Sequence, residues 1–131
     1  MKMITAYIQP QRLDFVGREL LAANISDMTV TTCCGYGRDA VLVPSFRGGP
    51  DAPDLLATVL LEVIVPAWKT QHAVEAIVRG ARTGSCGDGK LFITALERVV
   101  RIGSGAEISD APAIERVKIR RVRALAHHHA V

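Results

Sequence analysis

The chain has 131 residues, a length typical of one domain, and its 49% hydrophobic and 22% charged residues are ordinary for a globular protein. It has no apolar run of about 18 residues and no signal-peptide pattern at the N-terminus, so we expect a cytoplasmic protein without membrane insertion. The net charge of +3 is uneven, because residues 115–131 carry +4 and the rest of the chain −1. The overall charge therefore gives no reason to expect nucleic-acid binding.

The first part of the chain predicts a strand, a helix and a second strand. Residues 2–8 alternate polar and apolar side chains, as strands do, and Pro10 ends this pattern. Residues 28–33 are rich in β-branched side chains, which favours a strand. Between them, apolar side chains recur every three or four residues, which predicts a helix that stops at Asn24. These apolar positions are Leu13, Val16, Leu20 and Leu21.

Residues 35–54 predict a long loop. They contain four glycines and three prolines, a density of breakers that predicts no regular element. A loop of about twenty residues inside a small domain is unusual and is frequently functional. Its apolar side chains at 41–43 and Phe46 are candidate anchors for a partner, and its composition suggests that it orders on binding.

The rest of the chain predicts strands at 55–65, 90–95 and 98–102, a helix at 67–82 and a glycine-rich turn at 83–89. This order of elements predicts an α+β fold, the ferredoxin-like split βαβ sandwich, with an antiparallel sheet and two helices on one face. In the strand at 55–65, alternate side chains face opposite sides of the sheet, and both sets are largely apolar. We therefore expect other subunits to bury the face without helices. The two sets are Val59, Leu61, Val63 and Val65, and Leu60, Glu62 and Ile64.

Several separated motifs resemble those of PII signalling proteins, at matching spacing, over residues 1 to about 107. These motifs are MKMITAYIQP with Leu13-Asp14, MTVT at 28–31, GYGR at 35–38, Phe46-Arg47-Gly48, Glu62 with Val65-Pro66, Thr83–Lys90 with Phe92, and Arg98–Ile102. The resemblance implies a PII-like domain at 1–107 with a long T-loop at about 36–55, a B-loop at 83–90 and a C-loop strand at 98–102. It says nothing of residues 108–131, which we expect to form an edge strand or a flexible basic arm.

PII proteins are regulatory homotrimers, not enzymes, that bind ATP, ADP or AMP in clefts between subunits. Through the T-loop they control a target such as a transporter or an enzyme. Glycines let backbone N–H groups approach an anion, and Lys and Arg supply positive charge, so the motifs agree with phosphate binding. The resemblance implies a T-loop base of Gly35, Tyr36, Gly37 and Arg38, phosphate contacts from Gly87, Asp88, Gly89 and Lys90, Arg101 reaching across from a neighbour, and Thr29, Glu62 and Ile64 near the adenine.

Four positions depart from the family pattern. Asp39 stands where many members have a Gln that holds Mg²⁺ and 2-oxoglutarate, and Thr58 stands where a Lys captures the 2-oxoglutarate carboxylate. Asp51 replaces the Tyr that some members modify, and Gly103 replaces a second C-loop Arg. Since a buried carboxylate without a cationic partner is strongly disfavoured, we expect no 2-oxoglutarate site. Without the Tyr we expect no uridylylation, and with one phosphate-binding Arg missing we expect ADP or AMP to bind at least as well as ATP.

The sequence does not identify the small effector that is sensed together with the nucleotide. Some PII-like branches sense carbon status, in association with carboxysomes or bicarbonate transport, and the altered loop is compatible with such a branch. Arg47, Gly48 and Gly49 are then a candidate clasp for a small anion such as bicarbonate. One alternative is a nitrogen regulator that responds to 2-oxoglutarate. A second is an enzyme in which Asp88 and Lys90 support slow nucleotide hydrolysis, although the sequence shows no positioned general base. A third is a metal-handling protein.

Cysteines and histidines raise two further hypotheses. In the PII fold the regions of Cys34 and Cys86 border the nucleotide cleft, so they could form a redox-sensitive pair. The alternative is that all three cysteines, Cys33, Cys34 and Cys86, are small buried hydrophobic residues in a cytoplasmic chain. His127–His129 could bind a metal, but adjacent histidines share no helix or strand face and the ligands lack a recognised spacing, so we predict no metal site.

Overall fold

An antiparallel sheet with two helices forms the first of two units. The computed structural model describes residues 1–35, 44–47 and 54–110, with the backbone alone at 44–47, 54 and 55. The units are Met1–Glu97 and Arg98–Val131. The elements of the first unit are β1 (Lys2–Ile8), α1 (Leu13–Ala22), β2 (Thr29–Gly35), β3 (Pro44–Arg47), β4 (Asp54–Val65), α2 (Thr70–Ala81) and β5 (Lys90–Ala95), with 3₁₀ turns at Pro10–Arg12 and Ala67–Lys69.

The long strands β1 and β4 form the centre of the sheet. The strand order is β2-β4-β1-β5, so β2 and β5 are opposite edges, and β3 pairs with the beginning of β4. All these pairs are antiparallel, and Ile4 of β1 lies opposite both Val63 of β4 and Ile93 of β5. Cross-strand neighbours point to the same face, so this register decides which side chains share each face.

The hydrophobic core lies between one face of the sheet and both helices. Alternate residues of β1 and β4 enter it together with Val16 and Leu20 of α1 and Ala73 and Ile77 of α2. Each fully buried aliphatic side chain of this kind contributes about 1.5–3 kcal/mol relative to its exposed state. The predicted α+β, ferredoxin-like arrangement with both helices on one face is confirmed. The strand residues of the core are Ile4, Ala6, Ile8, Val59, Leu61, Val63 and Val65.

The two helices touch at a glycine. Gly80 is buried, and a Cβ atom built on it would lie 2.5 Å from the Cα atom of Val16. The backbones of α1 and α2 therefore approach too closely at this point for any side chain. Within the described part of the chain, no helix is long and apolar enough to cross a membrane.

The other face of the sheet, which we call the open face, carries the remaining strand residues. Ile64 of β4 is 46% exposed and Phe92 of β5 is 46% exposed, and no helix of the first unit covers them. Thr29 and Thr31 of β2 are exposed on the same face. The predicted alternation along 55–65 is thus confirmed, because Val59, Leu61, Val63 and Val65 are at most 2% exposed whereas Leu60, Glu62 and Ile64 are less buried.

One local prediction in the first unit was wrong. A strand, β3, lies inside 35–54, where breakers predicted no regular element; it pairs with β4, and a proline is tolerated at the first residue of a strand. The helix predicted from Leu13, Val16, Leu20 and Leu21 is observed as α1, in which Val16 and Leu20 are buried and Leu21 is 64% exposed.

The second unit contains a tight hairpin at 98–108 where the sequence predicted a strand over 98–102. Val100 forms an isolated bridge with Glu107, and the Arg101 N–H donates to the Ala106 carbonyl at 2.9 Å. The chain reverses direction between Arg101 and Ala106, where Gly105 has φ 69°. The side chain of Arg98 pairs with that of Glu107 at 2.6 Å. The prediction of a strand was wrong because the chain turns back before a longer ladder forms.

Candidate functional site

The turn between α2 and β5 is folded around one carboxylate. Asp88 Oδ2 accepts the backbone N–H groups of Thr83 at 2.8 Å and Gly84 at 2.9 Å. Asp88 Oδ1 accepts the Thr83 hydroxyl in a short hydrogen bond and the Ser85 hydroxyl at 3.2 Å. Gly84 has φ 90°, a conformation that suits glycine and lets the chain curl around the carboxylate.

These hydrogen bonds lower the pKa of Asp88 to about 2, from an ordinary value of 3.8. The Thr83 hydroxyl contributes most, followed by the Thr83 backbone N–H, because each stabilises the ionised form. The carboxylate is therefore charged at neutral pH. Its oxygens accept hydrogen bonds from the turn's own groups, so in this structure Asp88 holds the turn together.

Gln9 ties the same turn to the end of β1. Its side chain is 6% exposed, and its Nε2 donates to the Gly87 carbonyl at 2.9 Å and to Asp88 Oδ1 at 3.3 Å. Its Oε1 accepts from Gln11 Nε2 at 2.6 Å. The amide is thus oriented with its donor toward the turn.

Gly89 packs directly on β1. It has φ 100°, and a Cβ atom there would lie 1.9 Å from the carbonyl oxygen of Tyr7. Only glycine fits, for both reasons, and the B-loop is consequently pressed against the end of β1.

The outer surface of the B-loop is suited to an anion. The backbone N–H groups of Cys86 and Gly87 make no hydrogen bond within the described part of the chain. Lys90 is exposed at the start of β5 and pairs in register with Tyr7, without an acidic partner among the described residues. Free N–H groups beside a lysine and flexible glycines form the kind of surface that binds phosphate.

The three residues expected near an adenine lie together on the open face. Thr29 of β2 and Glu62 of β4 are directly opposite each other in the ladder, and Ile64 follows on the same face two residues later. Thr29 and Ile64 are exposed, and Glu62 is half-buried. The structure thus brings these three together on β2 and β4, whereas the B-loop leads into β5 at the opposite edge.

Gly35 ends β2 at the same end of the sheet as Lys90, but at the other edge. Gly35 pairs with Leu56 of β4, whereas Lys90 pairs with Tyr7 of β1. Three strand spacings, about 14 Å, separate the two edges. Tyr36, Gly37, Arg38, Gly48 and Gly49 lie outside the described residues, as does the side chain of Arg47. Arg101 belongs to the hairpin of the second unit.

None of the three cysteines forms a disulfide within the described residues. Cys34 lies on the edge strand β2 and Cys86 in the turn between α2 and β5. The hypothesised redox pair between them stays a prediction. The described residues contain no group of three or more His, Cys, Asp or Glu that could hold a metal ion, and His127–His129 lie outside them.

Sequence reasoning missed two residues that build the turn. Thr83 lies at the start of the B-loop motif and is the main partner of Asp88, a role that its position five residues before an aspartate could have suggested. Gln9 gave no local signal, since its partner Gly87 is 78 residues away along the chain.

Comparison with known proteins identifies this architecture. Residues 1–106 match the family model "Nitrogen regulatory protein P-II". The chain is 42% identical to a nitrogen regulatory protein P-II of Haemophilus influenzae over 111 residues, which cover 85% of this chain and 99% of the relative. It is 42% identical to nitrogen regulatory protein P-II 2 of Methanothermobacter thermautotrophicus over 105 residues (80% and 91%), and 40% identical to nitrogen regulatory protein P-II 1 of Escherichia coli K12 over 107 (82% and 96%). The chain therefore belongs to the P-II family of regulatory proteins.

Proposed function

We propose that this protein is a regulator that binds adenine nucleotides and acts on a partner without catalysing a reaction. The observation that carries the proposal is the B-loop, where the N–H groups of Cys86 and Gly87, which have no partner among the described residues, shortly precede the exposed Lys90 in the chain. Such a surface neutralises phosphate charge and donates hydrogen bonds to phosphate oxygens. In this proposal Gly87, Gly89 and Lys90 contact the phosphates, and Asp88 contributes by holding the turn.

We further propose that the site is completed between subunits of a homotrimer. Thr29, Glu62 and Ile64 would contact the adenine of a nucleotide whose phosphates lie on another subunit's B-loop, because within one chain they lie on β2 and β4 whereas the B-loop leads into β5. Gly35 to Arg38 would close the cleft and Arg101 would reach across to the phosphates. The exposed apolar side chains of the open face support burial by other subunits.

The nature of Asp88 argues against the alternative of nucleotide hydrolysis. A general base for water works best with a pKa near the working pH, whereas the pKa of Asp88 is lowered to about 2. Its oxygens also already accept hydrogen bonds from Thr83, Gly84 and Ser85. Asp88 is thus well suited to hold the turn and poorly suited to take a proton.

The side chain of Thr58 supports the proposal that this protein does not respond to 2-oxoglutarate. This side chain is neutral, and its hydroxyl donates to the Ile8 carbonyl at 3.1 Å, so it offers no positive charge to a carboxylate. We propose bicarbonate as the small anion sensed with the nucleotide, with Arg47, Gly48 and Gly49 as its clasp, in a protein that reports carbon status. The relatives are named nitrogen regulatory proteins, which favours nitrogen regulation as the role of the second candidate. That candidate is the nitrogen regulator for which the resemblance implies a response to 2-oxoglutarate.

The partner would be reached through the T-loop, residues 36–55. Its apolar residues at 41–43 and Phe46 are the proposed anchors for a target protein, which would be a transporter or an enzyme. Asp51 lacks the phenolic hydroxyl that uridylylation requires, so regulation would depend on ligands alone. We propose 1–107 as the regulatory domain and 108–131 as an edge strand or a basic arm.

Calorimetric titration with ATP, ADP and AMP, each with and without 2-oxoglutarate and bicarbonate, tests the proposal. We expect all three nucleotides to bind, ADP or AMP at least as tightly as ATP, with bicarbonate changing the heat and 2-oxoglutarate leaving it unchanged. The variant Lys90→Gln is the control: removing a charge-assisted contact should weaken ADP about tenfold or more. An effect of 2-oxoglutarate would establish the second candidate, and a lack of nucleotide binding would reject both.

A further inference from the structure

Gln9 is a buried polar side chain for which the proposed function has no role. It follows β1 and is 6% exposed, which is unusual for a residue type that is mostly found at the surface. Its amide is fully used, since Nε2 donates to the Gly87 carbonyl and Asp88 Oδ1 while Oε1 accepts from Gln11. A buried amide with this pattern holds its partners in place, because releasing them would leave polar groups unpaired.

The two groups that Gln9 holds are the electronegative groups of the B-loop that would repel an anion. The Gly87 carbonyl oxygen lies 2.9 Å from the buried Nε2 and therefore points toward the protein interior. Asp88 Oδ1, at 3.3 Å, is drawn in the same direction. A phosphate that binds the B-loop can then use the N–H groups of Cys86 and Gly87, which have no hydrogen-bond partner among the described residues, without meeting these oxygens.

This constraint is needed because Gly87 is a glycine. The peptide that joins Gly87 to Asp88 can rotate at low cost when the residue before it has no Cβ atom. Rotation by about 180° would turn the carbonyl to the outer surface, where it would oppose a phosphate. The neutral amide of Gln9 prevents this rotation without adding a charge of its own.

We propose that Gln9 is a positioning residue that selects the phosphate-binding conformation of the B-loop, an inference that rests on the proposed nucleotide site. It touches no ligand. Its effect is specific to the phosphate part of a nucleotide, because the residues proposed to contact the adenine lie on β2 and β4, away from the B-loop.

The test compares three full-length variants with the wild type. Gln9→Met keeps the length of the side chain and removes its donor, and Gln9→Lys restores a donor at the same place. Gln71→Met is the matched control, since Gln71 is exposed on α2 and its Nε2 donates to Glu75 Oε1 at 3.4 Å, its one side-chain hydrogen bond among the described residues. Two measurements are made on each protein: amide hydrogen exchange of residues 84–89 without ligand, and calorimetric affinity for ADP and for adenosine.

In Gln9→Met we expect exchange at 84–89 to rise about tenfold and ADP affinity to fall about tenfold, the effect of losing a buried hydrogen bond. Adenosine affinity and exchange in α1 and α2 should remain unchanged. Gln9→Lys should recover most of the ADP affinity, and Gln71→Met should match the wild type.

Unchanged ADP affinity in Gln9→Met would overturn the proposal, and so would an equal loss of ADP and adenosine affinity, which would indicate a merely structural role. A wild-type protein that binds no ADP would reject the proposed function instead. In that case the exchange data alone decide whether Gln9 positions the loop, and unchanged exchange at 84–89 rejects that role as well.

Discussion

At the scale of single residues, the B-loop depends on satisfied hydrogen bonds more than on burial. Asp88 accepts bonds from Thr83, Gly84 and Ser85, and Gln9 adds a donor from β1. The pKa of Asp88 is lowered to about 2, so its ionised form stabilises the native turn above the ordinary pKa of 3.8, and this contribution is lost as the pH falls through about 2. The turn is consequently insensitive to pH over the physiological range.

A pH titration followed by NMR checks this prediction. At about pH 3 the Asp88 carboxyl carbon should still report an ionised group, since most of a group with a pKa near 2 remains deprotonated there. The amide signals of Thr83 and Gly84 should therefore move little between pH 5 and about pH 3. In Asp88→Asn the same amides should be displaced at every pH, because a neutral amide accepts weaker bonds. A titration midpoint at 3.8, the ordinary value, would contradict the structure.

At the scale of elements, the contact between α1 and α2 is set by Gly80. Alanine is favoured over glycine in a helix by about 1 kcal/mol, but at this position its Cβ would lie 2.5 Å from the Cα of Val16. Because the obstacle is backbone, one helix must move and the core between them must repack. Overpacking of this kind typically costs about 1–3 kcal/mol.

Gly80→Ala is therefore expected to lower the free energy of unfolding by about 2 kcal/mol, measured by urea denaturation. Gly17→Ala is the matched control on the partner helix, where a Cβ would meet only the Met28 Cε atom, at 3.5 Å. That variant should be as stable as the wild type or up to about 1 kcal/mol more stable. If both variants were more stable than the wild type, the close approach of α1 and α2 at Gly80 would be contradicted.

Local patterns predict the elements whose neighbours in the chain decide their structure. The strand at 90–95 is observed as β5, Lys90–Ala95, and the buried run at 55–65 as β4, because their apolar periodicity is contained in the segment itself. The strand β3 and the hairpin of 98–108 were not predicted, because each depends on a pairing partner whose position local sequence does not reveal. For the same reason the family motif identified the B-loop, while its attachment to Gln9 required the structure.

At the scale of the whole molecule, the first unit has two unequal faces. The helices cover one side of the sheet and bury its central residues, although Ile93 on the edge strand β5 remains 47% exposed there. The open face leaves Ile64 and Phe92 each 46% exposed. These side chains are part of a continuous strand ladder rather than isolated surface residues, because their neighbours across β1, Met3 and Thr5, point to the same side. A surface of this kind supports the proposed homotrimer, as does the placement of the candidate site residues on β2 and β4 and in the B-loop before β5.

Replacing Ile64 by arginine tests that association. Three charged side chains brought together in a buried interface would lack partners, so Ile64→Arg should dissociate the trimer or weaken it by at least a factor of about 100. Leu21→Arg is the matched control, because Leu21 is 64% exposed on α1, which packs against the sheet's other face. Sedimentation velocity should give three times the chain mass for the wild type and Leu21→Arg, and a lower mass for Ile64→Arg. The dissociated protein should also lose ADP binding, because the proposed adenine contacts and the B-loop would then belong to separate molecules. A monomeric wild type that binds ADP would show that one chain suffices and that the open face is covered in some other way.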